Sequence, residues 1–240
     1  MHEHLETAPV WEAVRQKDAC PLCVLRNMIE KQNVERFLGG AVMEPDIRLR
    51  TNAAGFCSRH HLMLMAQKDY HGYALMMQTR VKQVLGDIAP ALKSPDRGSL
   101  FPSRCLQAAR QKIASVTARC LVCESMAGAE ERYMDVLIRL FRTDGDFKAE
   151  FRNGTAVCLD HLPGLMARAA GLGPGDRREL LEAAAGNTLA ALEQASKDLD
   201  ALCSSFHVGS EEKNNPRIHG ALERSVNLLR GLTFDTDDKG

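Results

Sequence analysis

The 240-residue sequence lacks the features that mark membrane, secreted and nucleic-acid-binding proteins. No apolar run approaches the roughly 18 residues that a membrane-spanning helix needs, and the polar, acidic start at residues 1–6 is unlike a secretory signal. There is no excess of charge, because Lys and Arg together number 31 and so do Asp and Glu. Nucleic-acid binding depends on clustered cations. We therefore expect a cytoplasmic protein that binds neither membranes nor nucleic acid.

Recognisable catalytic patterns are missing as well. There is no G-x-S-x-G motif, no glycine-rich phosphate-binding loop and no H-E-x-x-H motif. Carboxylates are plentiful, but they fall on solvated helix faces without a pair suited to acid–base chemistry. The sequence favours a binding or scaffold protein over an enzyme.

The alternation of apolar and polar residues that is typical of β-strands is absent too. Apolar residues recur instead at helical spacing, and the sequence predicts an all-α protein. We expect connecting segments near residues 44–52 and 147–154. The longest predicted helix follows Gly173-Pro174-Gly175 and runs to about Phe206, and a last helix runs from Pro216 to a stop at Gly231. The longest helix carries a heptad-like seam, formed by Leu181, Ala185, Thr188, Leu192, Ala195, Leu199, Leu202 and Phe206.

Cysteine is present in a pattern that occurs twice. A C-x-x-C motif, Cys20 to Cys23, is followed by a C-x-x-H motif, Cys57 to His60, and residues 24–56 lie between them. The motif Cys120 to Cys123 is followed in the same way by Cys158 to His161, with residues 124–157 between them. The two intervals are nearly equal in length. Glu30 and Glu130 each lie seven residues after their C-x-x-C, a further sign of duplication.

Three cysteines and one histidine per half form a tetrahedral ligand set of the kind that holds structural zinc. We predict two zinc sites, one within each half, with the ligands Cys20, Cys23, Cys57 and His60 in the first half and Cys120, Cys123, Cys158 and His161 in the second. Buried cysteines that pack as small apolar residues would not explain the equal spacing. An iron–sulfur cluster is the alternative, since thiolate-rich sites suit both metals. Covalent c-type haem is disfavoured because C-x-x-C-H is missing.

Some alternatives concern single residues. Cys20-Pro21-Leu22-Cys23 resembles a redox dithiol, but the chain has no βαβ pattern to support one. His61 could replace His60 as ligand, although His161 at the matching offset favours His60. Cys105 and Cys203 stand outside both sets, and we predict that they are thiols on helix faces in the core.

The motifs resemble those of an uncharacterised family of bacterial cytosolic proteins. In that family C-P-x-C is followed further along the chain by G-x-C-x-x-H, often twice in one chain. The resembling residues here are Cys20, Pro21, Cys23, Gly55, Cys57 and His60, with Cys120, Cys123, Cys158 and His161 in the second half. The second half departs by lacking the proline and by having Ala156 in place of the glycine. The resemblance implies metal-linked helical repeats and no established activity.

We therefore predict two duplicated helical units, each held by its own Cys3His site. The first unit covers residues 1–93, a linker 94–103, the second unit 104–207, a C-terminal helix 208–234 and a disordered tail 235–240. The expected function is protein–protein interaction or scaffolding, with a protein partner or a second copy binding to the heptad helix or the C-terminal helix. The alternative is an iron–sulfur protein for electron transfer or redox sensing.

Overall fold

The computed structural model describes residues 2–17, 19–93, 102–207 and 209–231. These residues form helices and no β-strand, so the predicted all-α fold is confirmed. The helices are α1 (His2–Arg15), α2 (Pro21–Leu38), α3 (Pro45–Ala54), α4 (Ser58–Ala66), α5 (Tyr70–Lys93), α6 (Pro102–Ser115), α7 (Leu121–Thr143), α8 (Gly145–Arg152), α9 (Leu162–Ala169), α10 (Pro174–Ser205) and α11 (Ala221–Arg230). Short 3₁₀ helices lie at Gly40–Met43, Glu211–Asn214 and Pro216–Ile218. Residues 94–101 of the predicted linker, and the predicted tail, lie outside the described residues. None of the helices described has the length and apolar character of a membrane span.

The two expected connecting segments are helices instead. Pro45 opens α3, and Asp144 caps α8 because its carboxylate accepts hydrogen bonds from the backbone N–H groups of Asp146 and Phe147. Phe147 and Phe151 lie on one face of α8 and are fully buried. The prediction missed these helices because α3 and α8 span only 10 and 8 residues, too few for an apolar period to show.

The contacts divide the chain differently from the predicted boundaries. One compact unit comprises Met1–Met28 and Ala129–Gly240, and the other comprises Ile29–Gly128. The division falls within α2 and within α7, so each of these helices contributes residues to both units. We call them the terminal unit and the central unit.

The terminal unit has a continuous apolar core. It includes Val10, Ala13 and Val14 of α1, Leu137 and Phe141 of α7, and further buried residues of α8 to α10. Helix α10 packs against α8, α9 and α11. The buried face of α10 includes Thr188 and Ala195 of the predicted seam but also Leu180 and Ala184, while Ala185 and Phe206 are exposed. The long helix therefore packs through one face against other helices of its own unit.

A buried carboxylate joins α10 to the segment that follows it. Asp198 accepts hydrogen bonds from Gln194 at 2.8 Å, from Arg217 Nε at 2.9 Å and from Arg224 Nη2 at 3.0 Å. The hydrogen bond from Arg217, with those from Gln194 and Arg224, outweighs burial and lowers the pKa of Asp198 to about 2. The helix predicted from Pro216 is a 3₁₀ turn at Pro216–Ile218 followed by α11, and this cluster holds α11 on α10.

The central unit is built around α5. Helices α3, α4 and α6 all contact α5. Met76 is the last buried hydrophobic residue of α5, and the next one described along the chain is Cys120. The second half of α5 and all of α6 that is described therefore contribute no fully buried hydrophobic side chain.

Removing the Asp198 carboxylate should destabilise the terminal unit. We expect Asp198→Ala to lower the free energy of unfolding by about 2 kcal/mol, because hydrogen bonds to charged groups contribute about 1.5–3 kcal/mol. Since folding lowers this pKa, the contribution is present above about pH 4 and is lost as the pH falls toward about 2. Urea unfolding should show the same deficit at pH 7 and pH 5. The control is Asp200→Ala, which removes an exposed carboxylate from the same helix. An equal effect of both substitutions would contradict this role.

Candidate metal centres

The eight predicted ligands form two clusters, and each cluster combines motifs from opposite halves of the sequence. Cys20, Cys23, Cys158 and His161 lie together in the terminal unit, and we call them the Cys20 site. Cys57, His60, Cys120 and Cys123 lie together in the central unit as the Cys57 site. Within each site the donor atoms all lie within 4.8 Å of one another.

This pairing corrects the prediction of one site within each half. Cys20 and Cys23 do not join Cys57 and His60, and Cys120 and Cys123 do not join Cys158 and His161. The two C-x-x-C motifs are alike, and so are the two C-x-x-H motifs. Their spacing therefore identifies the ligands without showing which pairs combine. The choice depends on which helices pack together. Because the unit boundaries fall within α2 and α7, each C-x-x-C motif lies in the same unit as the C-x-x-H motif of the other half.

The local backbone favours the thiolate form of these cysteines, which is the form that binds a metal cation. The carbonyls of Cys20 and Cys120 accept hydrogen bonds from the residues four positions later, at the starts of α2 and α7. Cys57 is the N-cap of α4. Helix N-termini present free backbone N–H groups and a partial positive charge, both of which favour a thiolate.

Side chains of α10 position the second motif of the Cys20 site. Thr188 Oγ1 accepts a hydrogen bond from Val157 N at 3.1 Å and donates one to Val157 O at 2.9 Å. Asn187 donates to the carbonyls of Phe151 and Thr155. The backbone immediately before Cys158 is therefore held from α10.

A glycine positions the corresponding backbone of the Cys57 site. Gly55 has φ of +69°, and a side chain there would meet the Arg80 guanidinium. Its carbonyl accepts a hydrogen bond from Leu121 N at 3.0 Å, directly after Cys120. In the Cys20 site the residue after the first cysteine is Pro21, which has no N–H to donate. The two differences between the halves, Pro21 in place of Leu121 and Ala156 in place of Gly55, thus both lie in the Cys20 site.

The distances within both clusters fit one tetrahedral metal ion. Bond lengths of about 2.3 Å to sulfur and 2.0–2.1 Å to nitrogen place donor atoms about 3.6–3.8 Å apart. In the Cys20 site, His161 Nδ1 lies 3.8, 3.3 and 3.1 Å from the sulfurs of Cys20, Cys23 and Cys158. In the Cys57 site, His60 Nδ1 lies 3.2, 3.2 and 3.4 Å from the sulfurs of Cys57, Cys120 and Cys123. The cysteines of the chain all lie in its described part, and none of them forms a disulfide. The donor sets can therefore hold a metal.

A glutamate orients each histidine. Glu30 Oε1 lies 2.9 Å from His60 Nε2, and Glu130 Oε1 lies 2.9 Å from His161 Nε2. If Nε2–H donates to the carboxylate, the Nδ1 lone pair faces the sulfurs, which is the arrangement of a carboxylate–histidine–metal triad. In the sequence, the equal offset of these glutamates indicates only duplication. Glu30 lies on α2, which starts at the Cys20 site, but it hydrogen-bonds the histidine of the Cys57 site. Glu130 lies on α7, which starts at the Cys57 site, but it hydrogen-bonds the histidine of the Cys20 site.

Charge around the clusters favours binding of a cation. Burial lowers the pKa of His60, but hydrogen bonds with Glu30 and Cys120 outweigh it and raise this pKa to about 9. At His161 hydrogen bonds with Cys158, Cys20 and Glu130 likewise outweigh burial and raise the pKa to about 11. A hydrogen bond with Cys20 lowers the pKa of the Cys158 thiol. Metal and proton therefore compete for the same donors.

The remaining candidates lie outside the clusters. His61 Nδ1 contacts the Tyr73 hydroxyl, so His60 is the histidine of the Cys57 site. Cys105 and Cys203 belong to neither cluster, as predicted. Cys203 is exposed and Cys105 half-buried, however, so the prediction that they lie in the core is wrong.

Gly231 covers the Cys20 site, a role that sequence reasoning missed. It ends α11 with φ of +65°, as expected of the predicted helix stop. A Cβ at this position would lie 2.9 Å from Cys23 Sγ and 3.1 Å from Cys158 Sγ. Leu159 N also donates to Leu228 O of α11 at 2.9 Å. Only a residue without a side chain fits here.

Exchanging each glutamate for glutamine tests the crossed arrangement. Glu30→Gln should weaken metal binding at the Cys57 site about 10- to 100-fold, as changes in a ligand's hydrogen-bond partner do, and leave the Cys20 site unchanged. Glu130→Gln should do the reverse. Competition with a chelator of known affinity measures both sites, and Glu131→Gln, a change at a neighbouring exposed glutamate, is the control. Loss of affinity at the Cys20 site in Glu30→Gln, or at the Cys57 site in Glu130→Gln, would refute the pairing.

Comparison with known proteins adds relatives without an assigned activity. The chain is 24% identical over 166 residues to a protein of Caldicellulosiruptor sp. (strain Rt8B.4) described as "Uncharacterized 23.9 kDa protein in xynA 3'region". That alignment covers 69% of this chain and 73% of the relative. No solved structure matches the chain. The model of a family of unknown function, DUF6062, matches residues 1–236, and the chain therefore belongs to that uncharacterised family.

Proposed function

We propose that the protein is a zinc-stabilised helical module that binds an acidic amphipathic helix of a protein partner. The zinc ions hold the helices together, and the exposed apolar face of α5 and α6 binds the partner. The observation that carries this proposal is the lack of buried hydrophobic side chains between Met76 and Cys120 among the described residues.

The geometry of the clusters supports zinc in a structural role. Each cluster supplies four donors and leaves no position for a substrate, which is the arrangement of structural zinc sites. An iron–sulfur cluster contains several ions and would hold its ligand atoms further apart than one ion does. Donor atoms that all lie within 4.8 Å of one another favour a single ion.

Metal analysis of protein purified without added metal or chelator tests the zinc proposal. We expect two zinc ions per chain and a colourless protein. Cys57→Ser and Cys158→Ser should each lose about one equivalent and destabilise their own unit, because structural zinc binds only the assembled ligands. Cys203→Ser, which removes an exposed thiol outside both clusters, should retain both ions. A brown protein containing iron and sulfide would overturn the assignment.

The face of α5 and α6 supports the second part of the proposal. Val81, Leu85 and Leu92 are 57, 62 and 57% exposed and follow helical spacing along α5. Leu106 and Ile113, seven residues apart on α6, are 51 and 38% exposed. Apolar stripes of this kind normally pack against another element, and an exposed one marks an interaction surface.

The other helix that leads into a C-x-x-C motif has a buried apolar face. Helix α1 precedes Cys20 as α6 precedes Cys120. Val10, Ala13 and Val14 of α1 have no exposed surface, whereas α6 has no buried residue within the range 103–115. These three apolar residues of α1 are thus covered within their own unit, whereas the leucine and the isoleucine of α6 are exposed. A partner on α6 would supply the contacts that α1 receives within its own unit.

Charge indicates what kind of partner fits. Helices α5 and α6 together carry six Lys or Arg residues and one acidic residue, in a chain whose net charge is zero. The cations are Arg80, Lys82, Lys93, Arg104, Arg110 and Lys112. An apolar stripe on helices with an excess of basic residues complements a helix that carries apolar residues at i, i+3, i+4 and i+7 and acidic residues elsewhere.

A labelled model peptide tests this surface. The probe is a helix-forming peptide of about 20 residues, with leucine on one face and glutamate elsewhere, read out by fluorescence anisotropy. We expect Leu85→Asp to weaken binding at least about tenfold, since burial of a leucine contributes about 1.5–3 kcal/mol. Leu189→Asp, a change at a 60% exposed leucine of α10, should leave binding unchanged.

Other occupants of the face give different results in parallel measurements. A dimer in sedimentation experiments that Leu85→Asp dissociates would show that a second copy covers the face. Binding to vesicles of anionic lipid that Leu85→Asp removes, without binding to the peptide, would indicate a membrane surface. Either result, or equal binding of a peptide with lysine in place of glutamate, would overturn the proposed partner.

A further inference from the structure

The two metal centres differ in how far their ligands are exposed. All four ligand residues of the Cys20 site are buried, and Gly231 lies against two of its sulfurs. In the Cys57 site His60 and Cys120 are buried, but Cys57 is half-buried and Cys123 is exposed. The same donor set is therefore closed in one unit and accessible in the other.

A cleft leads to the accessible ligands. It has a volume of about 690 Å³ including the space open to solvent, and it is lined by Cys57, Cys120 and Cys123 together with residues 117–119 and Glu124 and Ala127. Three of the four ligands of this site thus face one cleft. Among the described glycines, none covers it as Gly231 covers the Cys20 site.

Two charged residues at the rim of the cleft form an ion pair. Arg119 donates two hydrogen bonds to Glu124, at 2.7 and 3.0 Å. This pair therefore adds no net charge to the rim. What the cleft offers is direct access to thiolate ligands, and a small soft nucleophile such as a thiol can compete with a thiolate for zinc.

We propose that the Cys57 site is an exchangeable zinc site, in which a small thiol displaces Cys123. This inference rests on the proposed function in one respect, that the bound metal is zinc. In the exchange the bond between zinc and Cys123 Sγ breaks and a bond between zinc and the incoming sulfur forms. The proton of the incoming thiol passes to Cys123, so no oxidant or reductant is needed. Zinc in the Cys20 site stays in place under the same conditions.

The experiment measures zinc release from the fully loaded protein. The chromogenic chelator 4-(2-pyridylazo)resorcinol reports free zinc after addition of 2-mercaptoethanol. We expect one equivalent to leave quickly in proportion to thiol concentration and the second to leave much more slowly. Alkylation at the end of the fast phase, with mass spectrometry in a Cys105→Ser and Cys203→Ser background, should label Cys57, Cys120 and Cys123 before Cys20, Cys23 and Cys158.

A variant that covers Cys123 without replacing a ligand isolates the proposed step. Ala127 lies one turn after Cys123 on α7 and is exposed. A longer side chain there extends toward the N-terminus of the helix, over Cys123. Ala127→Leu should slow the fast phase about tenfold while the zinc content stays at two equivalents. Ala190→Leu, at an exposed alanine of α10, is the control and should change neither rate.

The possible outcomes separate this inference from the proposed function. A chain that holds no zinc overturns the proposed function and the exchange together. A chain that holds two zinc ions overturns only the exchange if both leave at one rate, if the Cys20 site is labelled first, or if Ala127→Leu leaves the fast phase unchanged.

Discussion

Each candidate metal centre brings together segments that are distant in sequence, and a bound ion would join the helices around it. Cys23 and Cys158 are 135 residues apart, and His60 and Cys120 are 60 residues apart. Closing loops of this length costs conformational entropy, and one ion with four ligands can offset that cost. In the Cys20 site the junction joins the start of α2 to the turn before α9. In the Cys57 site it joins the starts of α4 and α7.

Helices α2 and α7 contribute to both centres. Cys20 immediately precedes α2 and Cys23 lies in its first turn, and the helix also carries Glu30, which hydrogen-bonds the histidine of the Cys57 site. Helix α7 begins next to Cys120 and carries Glu130, which hydrogen-bonds the histidine of the Cys20 site. Burial raises the pKa of Glu30, but the hydrogen bonds from His60 and Arg59 outweigh it and lower this pKa to about 2. The carboxylate is therefore charged when it receives the histidine N–H.

The two units use similar motifs but are completed differently. The terminal unit has α11, whose end covers the Cys20 site, and an α1 whose apolar face is buried. The central unit has a cleft over the Cys57 site and an α6 whose described side chains are not buried. A closed centre suits a purely structural metal, while an accessible centre in a unit with an exposed apolar helix face suits contact with other molecules. The proposed partner surface and the proposed exchangeable site both belong to the central unit.

The sequence alone determined that the protein is helical and which eight side chains form the candidate centres, because helical periodicity and ligand spacing are local properties. It also indicated Gly231 as a helix end and Glu30 and Glu130 as matched positions. Tertiary structure decided which motifs combine, since like motifs at nearly equal spacing are interchangeable in sequence. It also decided that Gly231 covers one centre, that the glutamates hydrogen-bond histidines, and that the long helix packs within its own unit. These properties depend on contacts between residues far apart in the chain, and a local sequence pattern does not predict such contacts.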